Sequence, residues 1–98
     1  MSDIVIKIRY PINEPEKTEI KTNAKPEALE EILSNWIRCE IRKSSDTSEA
    51  VRLQVYEIQI ELDLSEDKFT TKSNSGNTSL TLGIVSNVFK QLSSISIN

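Results

Sequence analysis

The sequence predicts a two-layer α+β fold of order ββαββα, with a four-stranded, mainly antiparallel sheet carrying two helices on one face. Three observations predict it. Residues 56–64, YEIQIELDL, alternate apolar and polar side chains, and a period of two marks a strand with one dry and one wet face. Residues 4–10 repeat that alternation through Ile4, Ile6, Ile8 and Tyr10. Residues 26–43 and 78–94 instead place apolar side chains at helical spacing. Two helical stripes and two half-dry strands need mutual cover, which two packed layers supply. If residues 18–22 do not pair, the alternative is a three-stranded βαββα sheet, a truncated ferredoxin-like arrangement.

The first strand covers residues 3–10, and Pro11 is expected to stop it because proline has no N–H to give a ladder. Residues 12–17 read as a loop. In residues 18–22, TEIKT, Ile20 and the two threonines alternate with Glu19 and Lys21, so this stretch hairpins back on the first strand. Pro26 suits a first helical position. Acidic Glu27, Glu30 and Glu31 sit near the positive end of that helix, and Arg38, Arg42 and Lys43 near its negative end. Its stripe is Leu29, Ile32, Leu33, Trp36 and Ile37.

Residues 44–49, SSDTSE, read as a polar linker. Val51, Leu53 and Val55 then alternate on odd positions, out of phase with Tyr56 onward. One extra residue near Val55, a β-bulge, reconciles the two phases; otherwise residues 50–55 form a separate short element. After the strand at 56–64, residues 65–68 turn and residues 69–73, FTTKS, return as a weakly apolar edge strand. The second helix carries Ile84, Val85, Val88, Phe89, Leu92 and Ile95 on one stripe, with Asn77 or Thr78 as its cap. The tail after Ile95 is expected to be loose.

An offset of 52 residues lays one half of the chain on the other without a gap. Ile4, Ile6, Ile8 and Tyr10 fall on Tyr56, Ile58, Ile60 and Leu62, Thr18 on Thr70, and ILSNWIR (Ile32 to Arg38) on IVSNVFK (Ile84 to Lys90). At 98 residues the chain reads as one domain, 1–98; its halves at about 3–43 and 56–95 are either two ββα half-repeats or two units that share only the periodicity common to any strand–turn–strand–helix layout.

Composition narrows function more than it names one. The 98 residues carry a net charge of −3, with 37% hydrophobic residues, one cysteine and no histidine. Without histidine the commonest general base and metal ligand are missing, and without a Gly-x-Ser-x-Gly elbow no serine triad is expected. One cysteine forms no intrachain disulfide, and no apolar run reaches membrane-spanning length. Cofactors and metals are not expected, and a cytoplasmic location is. Basic residues are scattered along an acidic chain, which argues against nucleic acid.

Several residues stand out. Val51, Leu53 and Val55 form an apolar strip suited to a partner surface, by strand addition or as a dimer. Asn74, Ser75, Gly76, Asn77 and Thr78 precede a helix N-terminus, where backbone N–H groups favour an anion. Glu40 falls inside the first helix's apolar stripe, as a buried polar residue or a small polar site. Glu57, Glu61 and Asp63 line the wet face of the main strand, with Lys7 and Arg9 as cross-strand partners. Cys39 reads as a packing residue. The preferred reading is a small, non-enzymatic protein–protein interaction module, regulatory or adaptor in kind, binding a protein partner or itself as a homodimer. The alternative is a small-ligand or anion-binding domain using the 74–78 loop.

Overall fold

The computed structural model describes residues 3–43 and 52–97. Its strands are β1 (Ile4–Pro11), β2 (Glu19–Thr22), β3 (Val55–Asp63), β4 (Lys68–Ser73) and β5 (Ser96–Ile97), and its α-helices are α1 (Pro26–Lys43) and α2 (Thr78–Lys90). Short 3-10 turns lie at Pro15–Lys17 and Leu92–Ser94. The sheet order is β4-β3-β1-β2-β5. The four longer strands are antiparallel neighbours, and β5 joins β2 in parallel. Residues 18–22 do supply a strand, so the three-stranded alternative falls away.

Alternation decides which side of the sheet is covered. Ile6, Ile8, Ile20, Tyr56, Ile58, Ile60 and Leu62 are buried and form one core with Leu29, Ile32, Leu33 and Trp36 of α1 and Ile84, Val85 and Val88 of α2. Lys7, Arg9, Glu19, Lys21 and Glu57 sit at the intervening positions and are exposed. Both helices therefore cover one face and leave the other open. The Trp36 indole N–H donates to Thr71 Oγ1 at 2.8 Å, tying α1 to the edge strand β4.

Four local expectations need correction. β1 runs through Pro11 rather than stopping before it, opposite Val55. Pairing with β2 has already ended at Arg9 and Glu19, so nothing on that side requires the N–H that proline lacks. The phase break before Tyr56 is not a bulge. Pairing runs unbroken from Pro11–Val55 to Ile4–Leu62, and the Ile12 N–H donates to Gln54 O in the same register. The chain bends at Gln54 instead, which lets Leu53 pack against the core while Val55 stays in the strand. Leu64 lies beyond β3 and is 60% exposed. The tail is not loose at its start: α2 ends at Lys90, a 3-10 turn redirects the chain, and β5 pairs Ser96 with Glu19 and Ile97 with Ile20.

The two halves have corresponding layouts. Lys7 pairs with Gln59, its own counterpart at the 52-residue offset, so the β1–β3 seam maps onto itself when the halves are exchanged. α1 and α2 begin at Pro26 and Thr78, and residues 32–38 and 84–90 run through the same sequence of buried, half-buried and exposed positions. The hairpins break the gapless register. Ile20 is buried, but Lys72 at that offset is exposed, and the inward residue is Thr71. The turn between β3 and β4 is one residue shorter than a strict copy requires, and the loop before α2 is one residue longer.

Candidate functional site

Cross-strand register decides what the open face presents. Lys72 of β4 lies opposite Gln59 of β3, Gln59 opposite Lys7 of β1, and Lys7 opposite Lys21 of β2. This row of three lysines and one glutamine crosses the middle of the sheet. At the usual strand spacing it spans about 14–15 Å. Beside it runs a second row, Glu57 opposite Arg9 and Arg9 opposite Glu19. Together these side chains line a shallow concavity of about 520 Å³ with Ser73 and Asn74. Four cations (Lys7, Arg9, Lys21 and Lys72) meet two carboxylates there (Glu19 and Glu57). The groove is therefore basic on a chain whose net charge is −3.

Few of those charges are neutralised by contact. Lys72 Nζ stands 4.0 Å from Glu61 Oε2, at the limit of an ion pair. Among the described residues Lys7, Arg9 and Lys21 make no ion pair. Like charges directly opposite on neighbouring strands, as at Lys7 and Lys21, oppose folding. Glu57, Glu61 and Asp63 do share a face, but not as a joint site. Glu57 faces Arg9 across the β1–β3 seam, Glu61 approaches Lys72, and Asp63 is consumed locally. Asp63 Oδ1 accepts from Ser65 Oγ at 2.7 Å, from Ser65 N at 3.0 Å and from Glu66 N at 3.3 Å. The Ser65 hydroxyl, followed by these backbone N–H groups, holds its carboxyl below the ordinary value despite some opposing desolvation. Its role is to cap the β3–β4 turn.

The 74–78 loop spends polar groups on the strands and helix that flank it. Asn74 extends β4, with Oδ1 accepting from Glu57 N and Nδ2 donating to Val55 O. Asn77 caps α2 by accepting from Leu80 N at 2.9 Å. Gly76 takes φ +67, the left-handed conformation that favours glycine. Ser75 is fully buried, and its Oγ lies 3.0 Å from Ser73 Oγ and 2.9 Å from Thr81 Oγ1, closing a triangle of hydroxyls. Thr81→Val keeps the shape but removes one corner of that triangle. It is expected to lower stability by about 1–3 kcal/mol, the usual cost of leaving buried partners unsatisfied; urea unfolding of the variant measures it.

The expected apolar strip is dispersed. Val51 lies outside the described residues. Leu53 is half-buried against the core, its N–H held by the Tyr56 hydroxyl at 3.2 Å, and Val55 is half-buried at the start of β3. Cys39 is partly buried on α1. Glu40, also on α1, is 8% exposed and lines a pocket of about 190 Å³.

Sequence reasoning missed the lysine row, because its members stand far apart in the chain and meet only through register. The signal was present in part: Lys7 and Lys21 occupy wet positions of two strands predicted to form one hairpin. Among the described residues no three metal-binding side chains gather, and no helix is long and apolar enough to cross a membrane. No family model, curated protein or solved structure matches this chain.

Proposed function

We propose that this protein is a non-enzymatic protein–protein interaction module that docks an acidic segment of its partner on the open face of the sheet. The observation that carries this reading is the row of Lys72, Gln59, Lys7 and Lys21, on a face that no described element covers. A rigid sheet holds these ammonium groups at fixed spacing, so an acidic strand or loop laid across them meets a preformed potential. Arg9, between Glu57 and Glu19, marks one border of the row and adds polar contacts that set orientation. Self-association has less support. The outer strand β4 carries exposed Lys68 and Lys72, and lysines on an edge strand discourage pairing with a second copy.

Titration with an acetylated octaglutamate peptide at low salt, followed by amide chemical shifts, tests the proposal. Shifts are expected at residues 5–9, 19–21, 57–61 and 70–72, with affinity falling at least tenfold between 20 and 200 mM salt. The triple variant Lys7→Glu, Lys21→Glu, Lys72→Glu is expected to abolish the shifts while keeping its circular dichroism. Shifts confined to other surfaces, or a triple variant that binds as well as the parent, would sink the proposal.

A further inference from the structure

We propose that the pocket around Glu40, on the helix side of the sheet, binds a primary ammonium group. Glu40 projects from α1 into the angle between α1, β4 and the start of α2. There it lines a pocket with Thr71, Ser73, Gly76, Asn77, Thr78 and Thr81. The residue is more than nine-tenths buried, yet among the described residues it makes no hydrogen bond or ion pair. Its oxygens are not sealed in, because among the described residues no fully enclosed side-chain oxygen is left without a partner. The carboxylate therefore opens into the pocket, with acceptor capacity that the described residues leave unused.

The rest of the wall decides which donor. Thr71 Oγ1 accepts from the Trp36 indole and retains a further lone pair. Ser73 Oγ and Thr81 Oγ1 are fixed by the hydroxyl triangle, 3.0 Å from each other. Two of the first N–H groups of α2 are already spent, since Leu80 N donates to Asn77 Oδ1 and Thr81 N to Asn77 O. What remains is one negative charge beside several hydroxyl groups, each able to accept as well as to donate. A primary ammonium brings three donors and one positive charge to such a set. A planar guanidinium favours a paired, in-plane carboxylate contact that these scattered hydroxyls do not extend. A pocket of about 190 Å³ admits a short alkylammonium or the end of a lysine side chain. The two sources share the chemistry.

The Trp36 indole N–H is a built-in reporter, because its acceptor Thr71 is part of the wall. The experiment follows that resonance during titration with n-butylammonium chloride, with tetramethylammonium chloride and sodium chloride as controls at equal ionic strength. A saturable shift with n-butylammonium alone is expected, weakened at least tenfold in Glu40→Gln, a variant of the same shape. Equal response to tetramethylammonium or sodium, or unchanged binding by Glu40→Gln, overturns the proposal. A second arm uses the capped tripeptide Gly-Lys-Gly. Binding tighter than n-butylammonium assigns the group to a protein lysine, and weaker binding assigns it to a free amine. If Glu40→Gln unfolds, Glu40→Leu, which removes the charge and continues the apolar stripe of α1, replaces it, with loss of the saturable shift expected and unchanged binding counting against the site.

Discussion

Trp36→Ala is expected to lower stability by about 3–5 kcal/mol, the usual cost of emptying a large aromatic site. Trp36 has no exposed surface and stands at the centre of the α1 stripe, in the core shared by the sheet and both helices. Its indole N–H also satisfies Thr71 on β4, so truncation removes packing and leaves a hydroxyl without its donor. A domain of this size has a total stability of about 5–15 kcal/mol, so the variant falls close to the threshold of folding. Urea unfolding followed by circular dichroism measures the loss, since the variant has no other tryptophan to report by fluorescence. Trp36→Phe retains most of the volume but loses the N–H and part of the ring, so its cost is expected to be smaller than that of Trp36→Ala, about 1–3 kcal/mol. A melting temperature close to the parent's for Trp36→Ala would show that the α1 stripe does not anchor the core.

Ile60→Ala is expected to cost about 2–5 kcal/mol. Ile60 lies on β3 with neighbours on both sides, Ile6 across the β1–β3 seam and Thr71 on β4, and it has no exposed surface. A central position leaves little room for collapse into the cavity, which favours the upper part of that range. Ile6 is equally buried and directly opposite, so the two are expected to couple. The double variant should depart from additivity by about 0.5–3 kcal/mol in a mutant cycle. Additive losses would mean that the two side chains fill separate spaces.

The fold was legible where periodicity is strong. Ile4 to Tyr10 and Tyr56 to Leu62 carry enough alternation to identify both central strands and their inward faces. Pro26, the acidic first turn and the apolar stripe together gave α1 its limits. The short stretch around Ile20 was legible through the alternation of Thr18, Ile20 and Thr22 with Glu19 and Lys21. Two features escaped for physical reasons. β5 is a two-residue strand whose partner is parallel and distant in sequence, so no local pattern announces it. The bend at Gln54 turns the chain without glycine or proline, the usual signals, and the phase change at Val55 is equally compatible with a bulge. The candidate sites divide in the same way. Glu40 was legible because a charge interrupts an apolar stripe. The lysine row was not, because Lys7, Lys21 and Lys72 become neighbours only after three strand pairings are in register.

The self-matching seam between β1 and β3 has a consequence for how the chain folds. Each hairpin closes through pairs near in sequence, such as Arg9 with Glu19 and Asp63 with Lys68. The seam instead joins Pro11 to Val55 and Ile4 to Leu62, across all of α1. Loop-closure entropy delays such distant pairings. The rate-limiting step is then the docking of one ββα unit on the other, and substitutions at Ile6, Ile8, Ile58 and Ile60 are expected to change the folding rate more than those in either hairpin turn. Since the seam is the place where Lys7 meets Gln59, the basic row is completed by that same docking event. An isolated half would display only part of it.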